Sequence, residues 1–236
     1  MKKYIGTKQI EAEPMTRGDA WGKHLLREKP STENFDDEGY HVRYEDGYES
    51  WSPKDVFEKA YKIAETPVDR MQIEAEEVNG RYVKLAAFID SGKMDEVVND
   101  MYNKCLLEMQ CCTMFDYIRL LDTRIQRMQG SDGAKVIKMN FGMAIMALKA
   151  GYPIRRSGWN GKGLMVFKQV PAHIESDVIP KMQSLPQSAK DLILKGKGFI
   201  DYTSQCLIYN ENTGRADSWV PSISDVFADD WEIVLS

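Results

Sequence analysis

The sequence predicts an α+β protein, with small sheet-plus-helix domains at both ends joined by a helical hairpin. Three observations predict it. Apolar residues alternate with period two in the outer segments, between Gly, Asp and Asn turn signals. A spacing of three and four runs through the middle. The composition, 43% hydrophobic and 28% charged over 236 residues, suits a chain that buries cores in one large or several small domains.

The first domain is read as residues 1–66. Tyr4–Ala12 is a strand, and Glu13–Glu38 is a polar, irregular stretch holding Trp21. Tyr40, Val42 and Tyr44 alternate against His41, Arg43 and Glu45, and Asp46-Gly47 turns the chain into Tyr48–Trp51, which makes a hairpin. Ser52 is the expected N-cap of a helix Pro53–Ala64 that buries Val56, Phe57, Ala60 and Ile63. Thr66-Pro67 marks the boundary. Residues 67–130 are the hairpin. Met71, Ala75, Val78, Tyr82, Leu85 and Ile89 form a stripe, Ser91-Gly92 breaks it, and a second apolar run extends to Met128. Unbroken from Met94, that run would be about 50 Å long. The pair has little core of its own, so it is expected to pack against a second copy or another domain.

The third domain is read as residues 135–236. Asn140 caps a helix Phe141–Ala150, with Ile145 and Leu148 inward, and Gly151 ends it. Strands follow at Tyr152–Arg156 and Leu164–Val170, separated by the glycine-rich turn Gly158-Trp159-Asn160-Gly161-Lys162-Gly163. A polar excursion carries a helix Pro186–Lys195. Phe199–Tyr209 is a long strand, Arg215–Val220 another, Ile223–Ala228 a helical turn and Trp231–Leu235 a closing strand.

The net charge of −5 excludes a basic nucleic-acid coat, so no DNA or RNA partner is expected. Residues 131–236, with 12 basic and 11 acidic side chains, are the least repulsive place for an anion. The N-terminal Met1–Lys8 has charge but no apolar run behind it, so no secretory signal is expected. No run is long enough to span a membrane. The four cysteines, two of them adjacent (Cys111, Cys112), read as reduced thiols, and neither a metal nor a cofactor is expected.

No catalytic constellation is present. His173-x-Glu175-x-Asp177 lacks further ligands, and the glycine turn lacks the strand–loop–helix setting and Lys-Ser/Thr ending of a phosphate loop. The chain is therefore not read as an enzyme. The turn still allows close backbone approach to a phosphate, with Arg155, Arg156 and Lys162 nearby, and Trp159 offers a face for a purine. Trp219, followed by Pro221, Ser222 and Asp225, adds a second aromatic and small polar groups. Such residues suit a nucleotide-like ligand; they equally suit the core of a small β domain, and Trp231 is read as core. A faint echo links Arg17–Lys23 with Arg156–Lys162, and Ser50–Phe57 with Ser218–Phe227, as divergent copies or as convergent turn chemistry.

Met139–Gly151, Arg155–Gly163 and Ser218–Val234, in that order and spacing, resemble the Thoeris anti-defence two family of phages and prophages, over about residues 138–235. Met182–Asp191 resembles a segment of its longer members. The resemblance implies a non-enzymatic sponge in the host bacterial cytoplasm. It would hold cyclic ADP-ribose isomers made by Toll/interleukin-receptor-like proteins, and some longer members hold cyclic oligonucleotides at a separate pocket. It also implies homo-oligomers, typically tetramers, with pockets between subunits. Carried over, the motifs place Arg156, Trp159, Asn160, Trp219, Ser222 and Asp225 at or near the pocket, with Arg155 beside them. The middle segment resembles a short helical family of gut phages through Arg70, Glu74 and Tyr117–Ile125. The first segment resembles an N-terminal phage module through Tyr4–Lys8, Ala12–Gly18 and Gly47–Pro53. These added modules leave a second class open: a phage interaction adaptor that uses the hairpin and binds no small molecule.

Overall fold

The computed structural model describes residues 9–234. The chain divides into two compact units, with the boundary between Ile73 and Glu74. The class is α+β, with long helices between two sheet-bearing ends.

In the first unit, β1 (Ile10–Thr16) leads into a short helix α1 (Arg17–Gly22), then β2 (Glu38–Tyr44), β3 (Glu49–Pro53) and α2 (Lys54–Ala60). The sheet order is β1-β2-β3, antiparallel, with Pro14 opposite Tyr40 and Gly39 opposite Pro53. The predicted first strand falls partly on residues 1–8, outside the described residues. The rest begins at Ile10 and continues to Thr16, through the stretch expected to be irregular. Pro14 is tolerated because β1 is an edge strand. Thr16 then caps α1, its hydroxyl accepting from the Asp19 amide. The hairpin over Asp46-Gly47 forms as expected, with Gly47 at φ +81°. Helix α2 is shorter than expected. It starts after Pro53, without a Ser52 side-chain cap, and stops at Ala60, so Val56 and Ile63 are exposed and Phe57 alone is buried among its residues. Phe57 stacks on Tyr40 at 4.1 Å.

Helix α3 (Pro67–Asp90) starts with reciprocal hydrogen bonds between Thr66 and Asp69, 2.8 and 3.1 Å. Gly92, at φ +72°, ends that run. The second run is not continuous from Met94. A single turn, α4 (Met94–Val97), precedes α5 (Met101–Met128), whose start is fixed by the Asp100 carboxylate accepting from the Tyr102 and Asn103 amides. Asp competes well as a cap, and this is why the helix restarts there.

Helix α6 (Phe141–Lys149) is capped by Asn140, whose side chain accepts from the Met143 amide, and Gly151 closes it at φ +91°. The strands that follow are β4 (Ile154–Arg156), β5 (Leu164–Lys168) and β6 (Ala172–Ile174). Helix α7 (Gln187–Lys195) precedes β7 (Ile200–Tyr202), β8 (Cys206–Asn210) and β9 (Arg215–Trp219). A turn α8 (Ile223–Val226) and β10 (Trp231–Ile233) complete the unit. The main sheet is antiparallel with order β10-β4-β5-β8-β9, and β6 pairs only with β7. The expected long strand Phe199–Tyr209 is therefore two strands in two sheets, because its first part follows β6 out along the excursion. Helix α6 covers the sheet, burying Met143, Ala144, Ala147 and Leu148 against Ile154, Val166, Ala228 and Trp231. The echo between the ends does not extend to topology: Trp21 lies on a helix and Trp159 in a turn, and the sheets have three and five strands.

Candidate functional site

Trp231 is the first residue of β10 and is 1% exposed. Two half-buried tryptophans lean on it edge-on. Trp159, in the glycine turn between β4 and β5, meets it at 5.5 Å and 79°, and Trp219, at the end of β9, at 6.1 Å and 80°. One buried indole thus props two partly exposed ones, in the edge-to-face geometry that aromatic pairs favour.

Asp225, on α8, fixes the arrangement. It is 7% exposed, and its carboxylate is fully engaged. Oδ1 accepts from Arg156 Nη1 (3.0 Å) and Trp159 Nε1 (3.1 Å), and Oδ2 accepts from the Ser222 amide (3.0 Å) and hydroxyl (2.7 Å). Its backbone carbonyl takes the Trp231 Nε1–H at 3.0 Å. Two indole donors therefore converge on one residue. Burial pushes the Asp225 carboxyl up, but the hydrogen bonds from Ser222, Arg156 and Trp159 outweigh it and hold it at about 2.

Arg156 is held by two carboxylates. Its Nε donates to Asp230 at 2.7 Å, and Nη1 donates to Asp225 and to the Ser224 carbonyl. Its pKa rises through the hydrogen bonds it donates to Asp230 and Asp225. Burial raises the Asp230 carboxyl, while Arg156 and the Gly158 amide lower it more, leaving it below its ordinary value. The same Asp230 Oδ2 takes the Gly158 amide at 2.8 Å, and the Asp230 carbonyl takes the Ser157 amide. A Cβ at Gly158 would lie 2.6 Å from that carboxylate oxygen, which is why glycine stands there. The far end of the turn is tied by Asn212, whose Nδ2 donates to the Lys162 carbonyl at 2.9 Å.

Five of the seven residues singled out in the sequence thus converge: Arg156, Trp159, Trp219, Ser222 and Asp225. Two do not. Arg155 alternates with Arg156 along β4 and so points to the opposite face, where it pairs with Glu232 at 3.1 Å. Asn160 is exposed in the glycine turn. Two residues of the cluster were missed, Asp230 and the supporting role of Trp231. Their partners in the turn lie 72 or more positions away along the chain, and no local pattern signals such a contact. His173 does not meet Asp177; it bonds Asp201 at 2.6 Å and lies 3.4 Å from Glu175. Among the described residues, no group of three or more His, Cys, Asp or Glu is placed to hold a metal ion. Among them, too, no helix is long and apolar enough to cross a membrane.

Comparison with known proteins agrees on this region. Residues 139–234 match the family model of the Thoeris anti-defense 2-like domain, and residues 65–127 match the Sequestin model. The protein Thoeris anti-defense 2 of Bacillus phage SP01 is 33% identical over 102 residues, which covers 41% of this chain and 96% of the phage protein. The aligned relative is spanned almost from end to end, and the chain belongs to the Thoeris anti-defense 2 family.

Proposed function

We propose that this chain is a phage anti-defence protein that binds a cyclic nucleotide immune signal and sequesters it without degrading it, blocking Thoeris-type immunity in the host cytoplasm. The signal class is the cyclic ADP-ribose isomers, with cyclic oligonucleotides a further candidate that would extend the effect to CBASS-type immunity. The observation that carries the reading is the pair of half-buried indoles, Trp159 and Trp219, propped on Trp231 in a domain of this family.

The physical logic is stoichiometric. A sponge needs a Kd near nanomolar, about −12 kcal/mol. Base stacking supplies about 1–3 kcal/mol per base, and hydrogen bonds to charged groups about 1.5–3 kcal/mol each. These sums suffice only where the site is rigid beforehand and water is excluded. Rigidity comes from Asp225 and Asp230. Exclusion of water comes from a second subunit, in a homo-oligomer of the family's tetrameric kind. In this reading Trp159 and Trp219 stack on the ligand. Arg156, Ser222 and Asp225 hold the indoles and the turn, and Asn160 and the turn amides meet polar groups of the ligand. Arg155, on the opposite face of β4, reaches ligand only if a second subunit's site lies there.

The test is heat release. Purified protein is incubated with a cyclic ADP-ribose isomer, desalted and denatured, and the liberated molecule is identified by mass spectrometry. Intact ligand at a fixed ratio to protein is the expected result. A converted product would mean an enzyme. No retained ligand, with cyclic oligonucleotides as well, would leave the adaptor role. Trp159→Ala is expected to weaken binding about 10- to 100-fold, the loss of one stack, in a chain that still folds but unfolds at a lower temperature, since the indole also packs on Trp231 and donates to Asp225. An unchanged Kd in calorimetry removes Trp159 from the site.

A further inference from the structure

The residues just before α6 are held from two sides. On one side, Met139 pairs with Trp231 in an isolated antiparallel bridge, its carbonyl accepting the Trp231 amide at 3.1 Å. Trp231 is the indole that props Trp159 and Trp219. On the other side stands α5. Arg119 Nη1 donates to the carbonyls of both Ile137 and Lys138, and its Nη2 donates to Asp116 on the same helix. The other Asp116 oxygen accepts from Asn140 Nδ2 at 2.7 Å, while Asn140 Oδ1 accepts the Met143 amide at 2.9 Å.

The backbone gripped in this way is one the chain resists by itself. Lys138 has φ +52°, and among the described residues His24 is the one other non-glycine residue with a positive φ. A residue with a Cβ enters that region at a cost, and it stays there where its surroundings over-determine it. Here the surroundings are Arg119 on the Ile137 and Lys138 carbonyls and Trp231 on that of Met139. The Arg119 side chain is 12% exposed, lies 4.8 Å over the Phe115 ring and comes within 3.4 Å of Met143 Sδ. A guanidinium drawn out of water needs acceptors, and two main-chain carbonyls supply them. The contact also crosses a junction. The two family-matched regions are residues 65–127 and 139–234, so Arg119 reaches from the first to grip the residues directly ahead of the second.

We infer that Arg119 is a positioning residue for the candidate ligand site: it fixes the backbone at Ile137 and Lys138, and through Met139 it sets Trp231 beneath Trp159 and Trp219. The route has three links. The guanidinium holds the Lys138 carbonyl, the Met139 carbonyl holds the Trp231 amide, and the Trp231 ring holds two indoles edge-on. Without the first link Lys138 relaxes toward negative φ, the peptide leading into Met139 turns, and the bridge to Trp231 slackens. Helix α5 is then part of the binding apparatus and not an appendage to it. The effect on affinity rests on the ligand-binding reading given above; the effect on Trp231 rests on the geometry alone.

The experiment compares the full chain with Arg119→Met, Arg119→Lys and Asp100→Ala. The readouts are the indole N–H signals of the five tryptophans by nitrogen-15 NMR, the Kd for a cyclic ADP-ribose isomer by calorimetry, and helicity by circular dichroism. A chemical shift belongs to the folded state, so lost stability alone does not move it. Arg119→Met should keep its helicity, shift the Trp231 and Trp159 signals, leave Trp21 and Trp51 in place, and weaken binding about 3- to 30-fold. Arg119→Lys should fall between, because an ammonium can hold the carbonyls but cannot also fork onto Asp116. Asp100→Ala, which loosens the far end of α5, should leave the signals and the Kd as they are. A folded Arg119→Met with wild-type Trp231 and Trp159 signals overturns the inference, and so does Asp100→Ala moving them equally. Shifted signals beside an unchanged Kd also overturn the positioning role. Should Arg119→Met fail to fold, Arg119→Lys decides by the same readouts. Where wild type binds no ligand, the ligand reading fails, and a shifted Trp231 signal still upholds the hold of Arg119 on the indoles.

Discussion

At the scale of single residues, Asp225 carries the most weight. Its carboxyl is held at about 2 in the folded chain, against an unfolded value near 3.9. A depressed carboxyl stabilises fully above the unfolded value, and the contribution is lost as pH falls through the folded one. A difference near two units corresponds to about 2–3 kcal/mol, lost between roughly pH 5 and pH 2. Denaturant unfolding of wild type and Asp225→Asn across that window is the check: the variant should be about 2–4 kcal/mol less stable at neutral pH and should show a flatter acid limb. His173 gives the opposite sign. Its hydrogen bond to Asp201 raises its pKa despite partial desolvation. The stabilisation is complete below the ordinary histidine value and disappears as pH rises through the folded one. In a proton-NMR titration His173 should titrate above 6.5, and Asp201→Asn should bring it down. Residue types in the sequence marked Trp159, Trp219 and Asp225. They did not show that Asp225 acts by being saturated: two of its four donors come from Ser222 in a local capping box, but the other two, from Arg156 and Trp159, lie 66 or more positions away and reach the carboxylate only through the fold.

Among the elements, helices were legible where caps and apolar spacing agreed, as with Asn140 and α6. Strands were less so. Pro14 disguised β1, and Phe199–Tyr209 read as one strand with no glycine or proline to divide it. Its division was decided by partners more than 25 residues away, β6 for one half and β5 for the other. The cap at Asp100 has a measurable share in the middle segment. It satisfies two amides at the start of a 28-residue helix, so Asp100→Ala should cost about 1 kcal/mol and fray that end first. Hydrogen exchange at Tyr102 and Asn103 is the readout, with protection unchanged near Leu121.

For the molecule as a whole, the charge distribution constrains the kind of binding. The chain carries −5, and Arg155 and Arg156 are both answered by carboxylates within it. A site whose arginines are already neutralised attracts an anionic ligand weakly from afar. Binding through indole faces and turn amides should therefore change less than about threefold in Kd between 0.05 and 0.5 M salt. A phosphate anchored on free arginines would respond much more steeply. Titration calorimetry at the two salt levels separates the cases.

The contact of Gly158 with Asp230 also bears on how such a protein can change over generations. Any side chain at position 158 meets the Asp230 carboxylate, and removing that carboxylate strips Arg156 of one partner and the turn of its anchor. The intermediate on either route is a damaged protein, so the two positions can drift only together. Adaptation to a different ligand has an easier path through Asn160 and Lys162, exposed on the same turn, where substitutions leave the framework untouched. For the proposed sponge, a rigid frame with two exposed positions would let the ligand preference move while the fold stays fixed.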